Sequence, residues 1–332
     1  MADPVWPPSP GPTHPTADSP SRRELLTLGA AAGVTALTAA ALAGGQLLRR
    51  PRLAERCRFG AYSSLGGDLL GDHLRLEQSV GARLPLFSWF KDWNTGWEPW
   101  LADQLAARPG SYDCMLAWEA WGVGLGDIVR GWRDDYLWSF FDGAARYPGR
   151  VIVRLFHEMN GSWYPWSLAG PQRTVTDAGQ FRDAWRHVVD LARAHGTPNL
   201  QFLFCPNAFD DGGTPMEEYW PGADLVDLIG LDGYNWGWLP DGSPQHDPEA
   251  LIRPMYDRLC ALHPNAAFLV GEIGCAPGPG TARWYEDLYR STSFSRLTGL
   301  AFFNQRKERD WRLDADPAAL RVHRHYLRQR HS

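Results

Sequence analysis

The chain has 332 residues, with 33 Lys plus Arg against 38 Asp plus Glu and a formal charge of −5. With 44% hydrophobic and 21% charged residues it reads as a globular protein rather than a disordered one. The mildly acidic balance argues against nucleic acid as the main partner. Five cysteines without a CxxC pair or zinc spacing carry no metal signature. Seventeen tryptophans suit either a dense core or the exposed indole faces of a sugar cleft.

Residues 1–20 contain seven prolines with Ser, Thr and Asp and cannot form a core. Ser21-Arg22-Arg23-Glu24-Leu25-Leu26 and the apolar stretch to Ala43 then resemble a twin-arginine export signal. Leu25 stands where Phe is common and Thr27 where Lys is common. Ala41-Leu42-Ala43 offers a small-x-small cleavage site. The alternative is an uncleaved anchor tethering the protein to a membrane, since the apolar run approaches the ~20 residues a spanning helix needs. An exported, extracellular or cell-surface protein is expected, with residues 44–56 as linker and 57–332 as a single folded domain.

From Cys57 onward, short apolar runs alternate with helical patterns. Strands are expected at 57–62, 84–90, 112–118, 150–157, 199–206, 225–234, 267–273 and 298–304. One helix carries an apolar stripe of Phe181, Trp185, Val188 and Ala192, opening near Thr176/Asp177 and stopping at Gly196. Another carries Leu251, Met255, Leu259 and Leu262, and further helices are expected around 127–146 and 281–291. Eight β-then-α units in this length fit an α/β fold of the (β/α)8 TIM-barrel kind, whose usual size is ~250 residues. A doubly wound open sheet fits less well, because polar residues gather at the ends of many strands rather than at one switch point.

Barrel enzymes place their chemistry at the C-terminal ends of the strands. Those ends carry Trp89, Trp118-Glu119, His157-Glu158, Asn207, Asp232 with Tyr234, Glu272 and Phe303-Asn304. On the fourth strand, alternation puts Ile152, Arg154, Phe156 and Glu158 on one face; on the seventh it puts Phe268, Val270 and Glu272 together. An arginine and a glutamate in such a strand are costly unless paired or used, so a buried structural ion pair is the plain alternative. Strands four and seven face each other across a barrel, however. Two carboxyls about 5–5.5 Å apart perform retaining glycoside hydrolysis, one as acid/base and one as nucleophile. Arg154 or Tyr234 could orient Glu272.

RLFHEMNGSWYPW, VDLIGLDGYNWG, FLVGEIG and AFFNQRKERDWRLD resemble glycoside hydrolase family 26, the β-mannanase-like family of clan A, from about residue 57 to about 314. The resemblance implies that Glu158 is the acid/base and Glu272 the nucleophile. It implies further that Arg154 and His157 support these carboxylates, that Trp163 stacks under a sugar and that Tyr234 contacts the nucleophile. Phe303 replaces the tryptophan that family members often carry in the eighth strand, and this opens the identity of the sugar bound there. No metal or organic cofactor is implied, and a monomer acting on a polysaccharide or oligosaccharide is expected.

Other patterns resolve more plainly. His157-Glu158 is no zinc-protease motif, because Gly161 stands where a second histidine would be needed. The glycines at 122, 124 and 126 lack dinucleotide spacing, and Asn160-Gly161-Ser162, though a glycosylation sequon, reads as a turn. Asn207 and Trp118 are carried as candidate sugar contacts. Trp89, Trp118 and Trp236 could equally cap the core. Glu119 could bind sugar hydroxyls or cap a loop, the loop being preferred. The expected function is a retaining endo-β-glycosidase on a β-1,4-linked polysaccharide, mannan first. β-Glucan or xylan is the alternative substrate, and a non-catalytic, membrane-tethered protein of glycan binding or exopolysaccharide assembly the alternative class.

Overall fold

A computed structural model describes residues 50–329. The proline-rich segment, the stretch expected to be an export signal and the start of the expected linker lie outside the described residues. Eight parallel strands pair in sequence order and close on themselves. They are β1 (Arg58–Ser63), β2 (Leu86–Asp92), β3 (Asp113–Glu119), β4 (Val151–Leu155), β5 (Leu200–Phe204), β6 (Leu228–Asn235), β7 (Ala267–Cys275) and β8 (Leu297–Asn304). The expected (β/α)8 barrel is therefore present, and all eight expected strands are found. The helices are α1 (Leu53–Arg56), α2 (Leu69–Val80), α3 (Pro99–Ala106), α4 (Leu125–Val129), α5 (Asp134–Ala145), α6 (Ala178–His195), α7 (Pro248–Leu262), α8 (Thr281–Arg290) and α9 (Pro317–Arg328). None of the described helices is long and apolar enough to cross a membrane.

Strand alternation sorts the core into two shells. Leu86, Met115, Ile152, Leu203, Leu228 and Leu269 fill the barrel interior. Leu116, Trp118, Val151, Val153, Phe268 and Val270 face outward and join the larger core under the helices. Helix α6 illustrates how the outer layer forms. Asp177 caps it by accepting from the Gln180 amide at 2.9 Å, and it ends on left-handed Gly196. Its stripe of Phe181, Trp185, Val188 and Ala192 is buried, worth about 1.5–3 kcal/mol for each large side chain.

Three expectations needed correction. Residues 53–56 are not linker: they form α1, whose Leu53 is fully buried in the core and donates its amide to Ser291 O. The single helix expected over 127–146 is two helices, divided at Gly131. The unit after β5 has no α-helix, only two short 3-10 turns at Met216–Tyr219 and Ala223–Leu225. Pro215, Pro221 and Gly222 interrupt that stretch too often for helical hydrogen bonding. Tyr219 packs edge-on to Phe181, and the Trp185 indole donates to Leu225 O, so the turns cover the barrel in the helix's place.

Candidate active site

The C-terminal mouth is lined by the last inward residue of successive strands. Tyr62 of β1, Phe90 of β2 and Phe303 of β8 meet edge-on or tilted, with Phe303 also 5.7 Å from Tyr234 of β6. This aromatic floor holds Phe303 almost wholly buried. Beside it lie the charged groups.

Glu158 arrives by a turn that the alternation rule does not describe. Strand β4 ends at Leu155, and Phe156 and Glu158 adopt positive φ values of 48° and 53°. These are left-handed conformations that non-glycine residues rarely take outside functional sites. Phe156 consequently does not share the face of Ile152 and Arg154: it packs outward on Trp93 and Phe181. The turn is held by the Glu158 amide donating to Cys205 O at 2.8 Å and by the Trp166 indole donating to His157 O at 2.8 Å.

Glu272 also needs a departure from regularity. Phe268 and Val270 face the helices, so plain alternation would send Glu272 outward too. The register between β6 and β7 slips here, Leu231 pairing with Val270 but Asp232 with Glu272, which leaves Gly271 as the extra residue of a β-bulge. The bulge turns Glu272 into the mouth. Any side chain at 271 would force this network to shift, because an added Cβ would lie 2.5 Å from Asp232 Oδ1 and 2.7 Å from Arg154 Nη1.

Arg154, fully buried, donates through Nη1 to Asp232 Oδ1 at 2.6 Å and through Nη2 to Glu272 Oε1 at 2.5 Å. The Tyr234 hydroxyl donates to the other oxygen of Glu272. Glu272 thus meets a donor on each oxygen, one of them cationic. Glu158 is treated in the opposite way. Burial above all, then the nearby Asp232 and Glu272 carboxyls, raise its pKa well above the usual range. The Trp163 indole donates to its Oε2 at 2.6 Å and partly opposes that rise. Burial likewise pushes Asp232 up to about 8, against the pull of Arg154. His157 is fully buried between Phe90 and Tyr164; burial and Arg154 hold it neutral, and neither ring nitrogen has a partner among the described residues.

His157, Asp232 and Glu272 present ligand atoms within 4.8 Å of one another. The Arg154 guanidinium already bonds both carboxylates, so a metal ion there would have to displace a buried cation. The arrangement is an ion-pair network.

Of the residues singled out in the sequence, Arg154, His157, Glu158, Trp163, Tyr234, Glu272 and Phe303 converge on the mouth. Trp118 does not. It faces outward, stacked 4.1 Å from Phe140 with its indole bonded to the Tyr136 hydroxyl, because β3 alternation points Met115 inward and Trp118 away. Trp89 is core as well, buried in the outer cluster. Asn207 lies at the mouth, but its amide is committed to Phe209 O and Asp211. Asn160 is fully buried; its Oδ1 accepts from the Asn207 backbone N–H, and its Nδ2 lies within bonding distance of Asn207 O, Phe209 O and Asp210 Oδ1. It fastens the loop after β4 to the loop after β5, which leaves no room for a glycan on that sequon.

Residues 145–278, which carry both glutamates, match glycosyl hydrolase family 26. That stretch takes in β4 to β7 up to Gly278, the part of the barrel that carries Arg154, Glu158, Asp232 and Glu272. Endoglucanase H of Acetivibrio thermocellus is 32% identical over 255 residues, 75% of this chain and 28% of that protein. Mannan endo-1,4-beta-mannosidase A and B of Caldalkalibacillus mannanilyticus is 32% identical over 149 residues, 44% of this chain and 26% of that protein. The chain therefore spans about a quarter of the length of these curated relatives. Among solved structures, the Bacillus subtilis mannanase man26 superposes with TM-score 0.57 at 18% identity, covering 81% of this chain and 84% of that one. A family 26 β-mannanase from Bacteroides ovatus gives TM-score 0.57 at 18% identity, covering 84% and 90%. These likenesses agree with the barrel.

Proposed function

We propose that this protein is a family 26 glycosidase, a retaining endo-β-glycosidase that cuts a neutral β-1,4-linked polysaccharide, with mannan as first substrate. One observation carries the reading: the mouth holds two glutamates in opposite settings. Glu158 is buried with its proton held on, and Glu272 is gripped by a guanidinium and a phenol. In the first step Glu272 attacks the anomeric carbon while Glu158 gives its proton to the departing glycosidic oxygen, breaking the C–O bond. In the second, ionised Glu158 takes a proton from water, whose oxygen displaces Glu272 from the anomeric carbon and restores the original configuration. Arg154 and Tyr234 receive the returning negative charge on Glu272. His157 and Trp163 shape the wall around the acid/base.

A second reading keeps this mechanism and changes the sugar to β-glucan. The match to Endoglucanase H and the presence of Phe303 in β8 favour it. Purified protein incubated with mannan, mixed-linkage β-glucan, a soluble cellulose derivative and xylan decides between them, with product anomers followed by NMR. Cleavage of mannan with β-anomers appearing first supports the primary reading. Glu158→Ala and Glu272→Ala variants that cleave as well as the parent would overturn the mechanism, and glycan binding without turnover would favour a binding protein. We assign residues 21–43 to export, placing this chemistry outside the cytoplasm.

A further inference from the structure

A third glutamate reaches the mouth. Inward Met115 sets the face of β3 on which Glu119 falls by alternation, opposite to outward Trp118. Glu119 takes no part in capping the next helix. Helix α4 opens at Gly124 with no side-chain cap. The Trp121 indole donates to Glu119 Oε2 at 3.0 Å. That ring stands edge-to-face to Tyr164 at 5.6 Å and to Trp166 at 5.5 Å, yet it remains 40% exposed. Burial raises the Glu119 pKa, the Trp121 indole and the Tyr164 hydroxyl oppose this, and Glu272 adds to it. Glu119 is therefore within electrostatic reach of the proposed nucleophile, and the double displacement does not use it.

We propose that Glu119 and Trp121 form a sugar-binding subsite on the β3 side of the mouth, taking one neutral pyranose of the glycan chain. The braced, half-open indole offers a flat apolar platform for the C–H face of a sugar. The carboxylate, held by the Trp121 indole, keeps lone pairs for sugar hydroxyls, which donate to it in charge-assisted bonds. A uronate would face Glu119 and Glu272 together, so a neutral sugar is selected. This inference rests on the glycosidase reading and adds to it a specificity-determining pair.

The test is calorimetric binding of β-1,4-linked manno- and gluco-oligosaccharides of increasing length to a Glu272→Gln protein, which separates binding from turnover. Glu119→Ala and Trp121→Ala are each added to that background, and folding is checked by circular dichroism. Each substitution is expected to weaken binding roughly tenfold once the oligosaccharide is long enough to reach the subsite. Trp121→Phe, which keeps a ring but removes the indole donor, is expected to lose less. In the active background, kcat/KM should fall more on long substrates than on short ones. Affinity unchanged at every length, or lost equally at every length, would overturn the subsite. A parent protein that neither binds nor cleaves any of these glycans would overturn the glycosidase reading itself, a result distinguishable from the other two.

Discussion

Arg154 of β4 bonds Asp232 of β6 through one nitrogen and Glu272 of β7 through another, tying three strands together beneath the mouth. All three side chains are nearly or wholly buried. Such a cluster gains little over a well-packed apolar core, but removing one partner strands the others in low dielectric. Arg154→Met should therefore destabilise the barrel by about 3–5 kcal/mol in urea unfolding and abolish turnover. Arg154→Lys keeps the charge but cannot span two carboxylates with a planar fork, so it should fold more stably than the Met variant while remaining nearly inactive. Full activity in the Lys variant would show that charge alone suffices at this position.

The raised pKa of Glu158 fixes the sense of two pH effects. The first chemical step needs Glu158 protonated, so kcat/KM should fall as pH rises through its elevated pKa, giving the basic limb of the profile. The stability effect has the same origin. A carboxyl whose folded pKa lies above its unfolded value favours folding fully below the unfolded value, about 4.3 for Glu, and loses that contribution as pH rises through the folded value. Asp232, pushed up to about 8, acts in the same direction. Glu158→Gln should thus be inactive yet melt a few degrees higher than the parent at alkaline pH, with the gap closing toward pH 4. Thermal melts across pH check this; a gap of opposite sign refutes the assignment.

Gly271 makes the bulge and the ion-pair network compatible. Gly271→Ala would drive a methyl group into Asp232 and Arg154. Because overpacking a rigid site typically costs about 1–3 kcal/mol, the variant should fold with reduced stability. Its kcat should drop far more than its KM changes, since the damage falls beside Glu272 rather than on the surface where the glycan binds. Steady-state kinetics at matched folded fraction measures this.

Asn160 serves the site by joining two loops. Its side-chain NH2 shares two hydrogens among three oxygens, one of them a carboxylate, and its oxygen accepts from the Asn207 backbone N–H. Asn160→Asp would set a negative oxygen against those acceptors, so it should destabilise the protein at least as much as Asn160→Ala, by about 2 kcal/mol or more. Hydrogen exchange should show the loops after β4 and β5 losing protection together; independent loss would show that Asn160 does not couple them.

The regular parts of this protein were legible because they follow period and punctuation. Eight apolar runs became eight strands, and α6 begins at Asp177 and stops at Gly196 as its capping residues indicate. The site was legible as residue types at strand ends but not as geometry. Alternation put Phe156 beside Glu158 and Val270 beside Glu272, yet a left-handed turn and a bulge reverse both pairings. Neither device has a periodic signature, and the only hint of the second was a glycine before a glutamate. Trp118 was misplaced for a related reason, since a tryptophan at a strand tip lines the mouth or the outer core according to a one-residue change of phase. The sequence places Asp232 with Tyr234 at the end of the sixth strand but assigns it no role, although it lies two residues before Tyr234 on the same strand face and so meets the buried Arg154.

Trp163 tests how finely the acid/base is tuned. Its indole donates to Glu158, and a donor to the charged form lowers a carboxyl pKa. Trp163→Phe removes that donor while keeping a ring, so the Glu158 pKa should rise further and the basic limb of kcat/KM should move to higher pH. Gly161 is the independent control. The indole lies over it so closely that an added Cβ would stand 2.5 Å from the ring, so Gly161→Ala must displace Trp163 without changing its chemistry. Both variants should therefore shift the limb in the same direction. A limb that stays in place in Trp163→Phe, with only KM raised, would mean that Trp163 acts as a sugar platform alone and leaves the proton on Glu158 untouched.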